Sequence, residues 1–291
     1  MRVGRDVQEI SDDGERVTHL YPNSSYQAHL SLYMFAAPYA KGGDVLDAGS
    51  GAGYGSHYFA AHGARSVEAI DVSEKAVAFS RKHFVVPNLR YQAMDLEQIT
   101  GFAPQSFDLI FSSNTLEHVP RVSSFFTSAW QLVRPSGVCI VAVPPVYNAD
   151  SVAANLANPY HLNIWSPRQW HYALSCYFGD VTCVRHHVEV DGRSLNFADA
   201  PETTQFRAEE FAFLPSSVDE LCAIGALTAV FVACKPRPAA EIYGSPDTIK
   251  MIDDSFTRLP GELPKQEIKD GVQRLLPEAW VARWQVWRKG R

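Results

Sequence analysis

The sequence predicts an α/β fold in which a mostly parallel, seven-stranded sheet carries helices on both faces. From about residue 43 to 143, short runs rich in Val, Ile and Phe alternate with amphipathic segments of helical length, a pattern typical of βαβ units. A glycine-rich turn follows the first apolar run. The 291 residues, 46% of them apolar, are also sufficient to bury a large core.

The predicted strands are Asp44–Ala48, Val67–Asp71, Leu89–Met94, Phe107–Ser112 and Val138–Val143. The predicted helices are Gly53–Ala61, Glu74–Lys82 with Ser73 as its N-cap, and Val122–Val133, closed by Arg134-Pro135-Ser136-Gly137. In folds built from such βαβ units, helices cover both faces of the sheet.

The flanking segments suggest additions to this core. Residues 1–40 are interpreted as an N-terminal helical cap with a helix over Tyr26–Ala37, and residues 41–234 as the main domain. After the core we expect a helix over Ser166–Cys176 and two strands, Val181–Val188 and Leu227–Cys234. The segment 189–226 is too long for a hairpin loop and is expected to be a lid-like insertion before the last strand. Residues 235–291 form a C-terminal extension.

Composition limits the partners. The formal net charge of -6 argues against non-specific binding to nucleic acid, which requires a dense basic face. No run approaches the roughly 18 apolar residues of a membrane span, and Met1 to Ile10 contains no apolar core of a signal peptide. We therefore expect a cytoplasmic protein with no nucleic-acid partner and no membrane span.

The clearest motif runs from Val45 to Gly53, where a strand leads into Gly49-Ser50-Gly51-Ala52-Gly53 and then into a helix. Glycines are needed where the backbone approaches a ligand closely, and the start of the helix offers free N–H groups. We expect a ligand to lie over this turn.

Three details indicate which ligand. In a nicotinamide-type turn the third glycine would be at position 54, which is Tyr54, whereas here it is Gly53. Asp47 precedes the turn, where a carboxylate suits a cationic sulfonium and ammonium better than a pyrophosphate. Asp95 follows the third strand, where it could accept a hydrogen bond from an adenine amino group. The ligand should be cationic and contain an adenosyl group.

Asp71 lies at the end of the second predicted strand, 20 residues after Gly51. This position suits a carboxylate that accepts hydrogen bonds from both ribose hydroxyls, in either cofactor class. The alternative is that Asp71 caps the helix that begins beside Ser73.

These motifs together resemble the class I S-adenosylmethionine-dependent methyltransferases, over residues 40–145. The motifs that carry the resemblance are Val45–Gly53, Glu68–Ser73, Met94-Asp95-Leu96, Phe107–Ser113, Leu116-Glu117-His118-Val119 and Leu132–Gly137. The resemblance implies a Rossmann-like sheet with S-adenosyl-L-methionine as cofactor. It implies that Gly49, Ser50 and Gly51 contact the methionine part, Asp71 and Val72 the ribose and adenine, Asp95 and Leu96 the adenine, and that Asn114 lies along the cofactor.

The flanks resemble a narrower group, the methyltransferases of polysaccharide and secondary-metabolite pathways. The matching segments are Gly14-Glu15-Arg16, Tyr26, His29-Leu30 and Tyr33, then Asn158-Pro159-Tyr160-His161 and Trp165-Ser166-Pro167. By this resemblance the N-terminal segment folds over the cofactor. Where the group often has a glutamate two or three residues after the histidine, this chain has Asn163 and Ile164, a departure that weakens the case for a His–Glu pair.

Two histidines are candidates for catalysis. A hydroxyl that attacks the sulfonium methyl group would benefit from a general base. His161, in the loop after the fifth strand, is the first candidate, and a solvent-side or structural role is its alternative. His118, after the fourth strand, is the second, and it could instead cap a helix or contact the cofactor. No spacing supports a metal site.

The predicted function is O-methylation of a small molecule, a natural product or a sugar, with His-assisted deprotonation of the acceptor. The alternatives are an N-methyltransferase acting on an amine or amino sugar, a nicotinamide-dependent oxidoreductase, and a cofactor-binding protein without catalysis. The acceptor is expected to be a small molecule or a glycan. In the C-terminal extension Trp280, Trp284 and Trp287 would share one helical face, which suits core packing or a homodimer contact.

Overall fold

The computed structural model of the protein describes residues 16–190, 193–195 and 205–242. Within these ranges it contains seven α-helices and a sheet of nine strands. The helices are α1 Ser24–Ala40, α2 Tyr54–Ala61, α3 Glu74–His83, α4 Val122–Leu132, α5 Ala149–Ala157, α6 Pro167–Tyr177 and α7 Val218–Ile224. The strands are β1 Asp44–Ala48, β2 Ser66–Asp71, β3 Leu89–Ala93, β4 Phe107–Ser113, β5 Val133–Val143, β6 Phe178–Val190, β7 Arg193–Leu195, β8 Phe211–Ser216 and β9 Thr228–Pro236.

The strand order confirms the predicted α/β fold. The strands are arranged β3-β2-β1-β4-β5-β9-β6-β7, and β1 to β5 pair with one another in parallel. β9 is antiparallel to both β5 and β6. The order reverses between β1 and β4, the point where open α/β sheets bind ligands beyond the carboxyl ends of their strands.

Helices cover both faces of the sheet. Val45 packs in a core cluster with residues of α1, α2 and α3, and Leu46, the next residue, packs in a separate cluster with residues of α4, α6 and α7. Successive side chains of a strand point to opposite faces, so these two clusters are the two layers beside the sheet.

The seven expected strands are all present, and β7 and β8 are additions that the sequence prediction did not include. Both pair antiparallel with β6, β8 along Cys183–Val188 and β7 along Val188–Val190. β6 has 13 residues and its pairing with β9 ends at His186. The far end of β6 therefore needs other partners for its backbone groups.

The expected lid-like insertion is described only in part. Its described residues after position 204 continue the sheet as β8 and contact α1, where Phe206 N–H donates to Ser24 Oγ (3.0 Å) and Ala208 N–H to Gln27 Oε1 (3.2 Å). Its role as a lid remains a prediction. Residues 243–291, which include the three tryptophans of the expected dimer contact, and Gly14-Glu15 lie outside the described residues.

The helix caps and the bounds of most elements agree closely with those predicted from the sequence. Ser73 Oγ accepts from Ala76 N–H at the start of α3, and Ser166 begins α6 with a capping box. α4 ends at Leu132, however, and Arg134 to Gly137 bulge out of β5, because Phe107 pairs with Val133 while Leu109 pairs with Val138. Among the described helices, none has both the length and the apolar character to cross a bilayer.

Candidate active site

A cavity of about 370 Å³ lies at the carboxyl edge of the sheet. It brings together residues from the ends of β1, β2 and β4, from α1 and from the loop after β5. Seven of the predicted site residues line it: Gly49, Ser50, Gly51, Asp71, Val72, Asn114 and His118. Four do not: Asp47, Asp95, Leu96 and His161.

The glycine turn has the shape that a bound ligand requires. Gly49 has φ +90°, and a Cβ there would overlap the side chain of Thr115. Gly51 has φ +53°, and a Cβ there would meet nothing within 4 Å, because it would project into open space beside the cavity. Gly51 thus leaves space for a ligand close to its backbone. An adenosyl cofactor fits a turn with this open space.

Asp71 joins the end of β2 to this turn. Its Oδ2 accepts from Gly51 N–H (2.9 Å) and its Oδ1 from Ser73 N–H (2.9 Å), while Arg16 Nη2 lies 3.5 Å from Oδ1. The carboxylate is only 8% exposed, whereas its neighbour Val72 is 70% exposed and also lines the cavity. Ribose binding and support of the turn are therefore compatible roles for Asp71.

Asp47 is fully buried. Its Oδ2 accepts from Ser56 Oγ (2.6 Å), and its Oδ1 lies 3.5 Å from the hydroxyl of Tyr33, which lines the cavity. Burial, reinforced by the nearby charge of Asp71, raises the pKa of Asp47 to about 7, although the hydrogen bond from Ser56 opposes this rise. Asp47 therefore contacts a residue that lines the cavity but does not line it itself.

The buried Asp47 should make stability depend on pH. Its pKa in the folded protein, about 7, exceeds the ordinary value of 3.8, so its stabilising contribution is complete below 3.8 and is lost as the pH rises through 7. Relative to Asp47→Asn, the wild type should lose about 3 kcal/mol of unfolding free energy between about pH 5 and pH 8. Denaturant titrations at the two pH values measure this, and an equal difference at both would contradict it.

Asp95 and Leu96 are positioned differently from the expectation. Asp95 Oδ1 accepts from Glu97 N–H (2.9 Å) and caps a short 3₁₀ turn over Leu96–Gln98. Leu96 is buried in the core at 5% exposure. An aspartate before a helical turn readily bonds that turn's N–H groups, which explains why this carboxylate is engaged locally. Their contact with adenine remains a prediction.

The two candidate histidines lie side by side, with ring centroids 5.0 Å apart. His118 Nδ1 lies 2.9 Å from the carbonyl oxygen of Tyr160, and His161 Nδ1 lies 2.7 Å from Asn155 Oδ1. Glu117 is buried, and its Oε1 lies 3.8 Å from His118 Nε2. A carboxylate thus lies beside the imidazoles, and it comes from Glu117 and not from the positions after His161.

The loop that carries His161 is fastened to the turn that carries His118. Leu162 N–H and Asn163 N–H both donate to the carbonyl oxygen of Glu117 (2.7 and 2.9 Å). The buried Asn163 side chain donates to the carbonyl oxygens of Leu116 (2.8 Å) and Val119 (2.7 Å). In the sequence, Asn163 stands out only as a departure from a motif. The feature that could have indicated its role is its side-chain amide, which can donate two hydrogen bonds.

Asn163→Leu should therefore reduce both stability and activity. It removes two hydrogen bonds to carbonyl oxygens, although that of Leu116 still accepts from Val119 N–H (3.3 Å). The loss costs about 2–4 kcal/mol of unfolding free energy, and it loosens the loop against His118. Asn88→Leu is the matched control, since Asn88 Nδ2 also donates to two carbonyl oxygens, those of Ala60 and Ala64. Thermal unfolding and turnover are measured for both. Equal activity in the two folded variants would show that the Asn163 contacts do not serve the site.

Comparison with known proteins agrees with this geometry. Residues 46–141 match a family model described as a methyltransferase domain, and the match begins in β1 and ends in β5, so it includes the glycine turn, Asp71 and His118. This region is a class I S-adenosylmethionine-dependent methyltransferase domain. S-adenosylmethionine is accordingly its cofactor.

Curated relatives extend the similarity of the methyltransferase domain. A ubiquinone biosynthesis O-methyltransferase from Albidiferax ferrireducens is 32% identical over 156 residues, or 52% of this chain and 61% of the relative. A protein of the same description from Sinorhizobium fredii is 36% identical over 135 residues, or 45% of this chain and 52% of the relative. The chain thus spans about half to three fifths of the lengths of these relatives.

Solved structures share the fold of the methyltransferase domain at low identity. An S-adenosylmethionine-dependent methyltransferase from Thermotoga maritima has a TM-score of 0.52 at 13% identity, over 72% of this chain and 92% of that one. A chain from the Haloferax volcanii complex of the Trm112 methyltransferase activator with a methyltransferase has a TM-score of 0.55 at 15% identity, over 80% and 95%. These likenesses concern the fold alone.

Proposed function

We propose that this protein transfers the methyl group of S-adenosylmethionine to a hydroxyl oxygen of a small molecule, a natural product or a sugar. The observation that carries the proposal is that His118 lines the same cavity as Gly51 and Asp71. An imidazole beside a cofactor site can accept a proton from a hydroxyl acceptor. The similarity to curated O-methyltransferases supports transfer to oxygen.

The residues that line the cavity suit S-adenosylmethionine. When bound, S-adenosylmethionine supplies a methyl group on a sulfonium, which an acceptor oxygen can displace. Asp71 would accept hydrogen bonds from the ribose hydroxyls, and the exposed side chain of Val72 would pack against the adenine. Gly49 to Gly51 would face the methionine part, with Asn114 along the cofactor. Their main contribution is alignment, which can supply roughly 7–11 kcal/mol in ideal cases.

His118 is proposed as the base, with His161 as its neighbour. A carbonyl oxygen can only accept a hydrogen bond, so the contact with Tyr160 fixes the proton of neutral His118 on Nδ1 and leaves the lone pair on Nε2. Nε2 would take the proton of the acceptor hydroxyl while its oxygen bonds to the methyl carbon. His161, ranked first from the sequence, does not line the cavity and is proposed to support His118.

Calorimetry and product analysis test the proposal. S-adenosylhomocysteine should release heat on binding, and NADH should not. With S-adenosylmethionine, methyl transfer should be detected by mass spectrometry for phenols or sugar hydroxyls in an acceptor panel. Heat with NADH alone would overturn the cofactor assignment, and transfer only to amines would overturn O-methylation.

We further propose that residues 235–291 provide a homodimer contact.

A further inference from the structure

Three potential metal ligands converge beside the cavity. Glu117, His118 and His161 each offer a donor atom, and these atoms lie within 4.8 Å of one another. Glu117 is 2% exposed, and its Oε1 lies 3.8 Å from His118 Nε2. No spacing in the sequence predicted this cluster, since His161 follows His118 by 43 positions. The contacts of Leu162 and Asn163 with the turn over Leu116–His118 help to bring the two segments together.

Both imidazoles are held in the tautomer that presents Nε2 to a metal. His118 Nδ1–H donates to the carbonyl oxygen of Tyr160. The amide of Asn155 is oriented by its own Nδ2, which donates to the carbonyl oxygen of Ser151 (2.8 Å), so its Oδ1 must accept from His161 Nδ1–H. Histidines that bind metals usually donate the other ring N–H to a carbonyl or carboxylate in this way.

We propose that Glu117, His118 and His161 form a binding site for a divalent transition-metal ion, with Zn²⁺ as the best-suited ion. Two imidazoles and one carboxylate are a ligand set of catalytic zinc sites, in which a further position stays open to water or substrate. Because His118 lines the cavity, that open position would face the acceptor. Mg²⁺ and Ca²⁺ prefer oxygen ligands and should bind weakly.

This inference does not depend on methyl transfer, since it concerns binding of the ion alone. A bound ion would be held by Nε2 of His118 together with Glu117 and His161, and it would supply Lewis acidity at the position that faces the acceptor. His118 is needed in either case, and removal of the ion distinguishes the two arrangements.

The test is calorimetry of the full chain, freed of metal by a chelator and titrated with ZnCl₂. We expect one tight site per chain, weakened about 100-fold in His161→Gln and in Glu117→Gln. His62→Gln is the matched control, because His62 is exposed and its Nδ1 contacts the carbonyl oxygen of Tyr58 within its own helical turn. CoCl₂ provides a second readout, through the visible absorption bands of Co²⁺ bound by nitrogen and oxygen ligands.

Equal Zn²⁺ affinity in the wild type and His161→Gln would overturn the site, as would tighter binding of Mg²⁺ than of Zn²⁺. Because removing the buried Glu117 carboxylate could prevent folding, Asn155→Leu provides an independent variant. It removes the acceptor for His161 Nδ1–H together with the local bond from Asn155 Nδ2 to the carbonyl oxygen of Ser151, leaves all three ligands in place, and should reduce Zn²⁺ affinity by about 10–100-fold. Unchanged affinity in folded Asn155→Leu would count against the site.

Discussion

Asp71→Ala is expected to weaken the binding of S-adenosylhomocysteine by about 100-fold or more. Hydrogen bonds to charged groups contribute about 1.5–3 kcal/mol each, and the variant would lose those to two ribose hydroxyls. It would also release the N–H groups of Gly51 and Ser73, which hold the glycine turn in place. Calorimetric titration of the folded variant measures the change in Kd.

The comparison variants make this result specific. Asp180→Ala is the control, since Asp180 lies on β6 and its half-exposed carboxylate pairs with Lys235; its Kd should equal that of the wild type. Asp95→Ala should weaken binding by about tenfold at most, because Asp95 caps its own turn. Tight binding by Asp71→Ala would refute the ribose role, and a larger effect at Asp95 would favour the adenine contact that the sequence suggested.

The Asp71 site was predictable because its parts are local in sequence or follow from the topology. The glycine turn is one continuous motif, and parallel strands bring their carboxyl ends to one edge of the sheet. The predicted strand Asp44–Ala48 coincides with β1, and Asp71 ends both the predicted and the observed second strand. Periodicity and strand-end position thus suffice to locate the cofactor half of the site.

The acceptor half depends on contacts that no local pattern reveals. Glu117 and His161 meet because Asn163 and the N–H groups of its loop bind the turn over Leu116–His118. A backbone contact of this kind leaves no periodic signal. Asp47 illustrates a related difficulty: its position in the strand was identified correctly, but its burial beside Ser56 depends on how α1 and α2 pack.

The strand β8 at the edge of the sheet was not predicted, and this too has a physical reason. β8 is partly exposed and includes Pro215, so it lacks the buried apolar run that identified the other strands. It becomes a strand because β6, which pairs with β9 along one edge, offers the backbone groups of its other edge. Tertiary pairing, and not local propensity, determines such a strand.

His118→Gln is expected to lower kcat by about 10²–10⁴-fold, the usual contribution of a general base. Glutamine can still donate to the carbonyl oxygen of Tyr160 but cannot accept a proton at the position of Nε2. The Kd for S-adenosylhomocysteine should change little, since Gly51 and Asp71 are untouched. Turnover with a saturating acceptor measures kcat, and His62→Gln again serves as the control.

The response to chelators then separates the possible roles of His118. If it is the base, chelators have no effect on wild-type kcat. If it binds the ion with Glu117 and His161, chelator treatment lowers wild-type kcat to the level of the variant, and ZnCl₂ restores only the wild type. A variant within about threefold of the wild type would exclude both roles, because either one places the acceptor proton under the control of His118 Nε2.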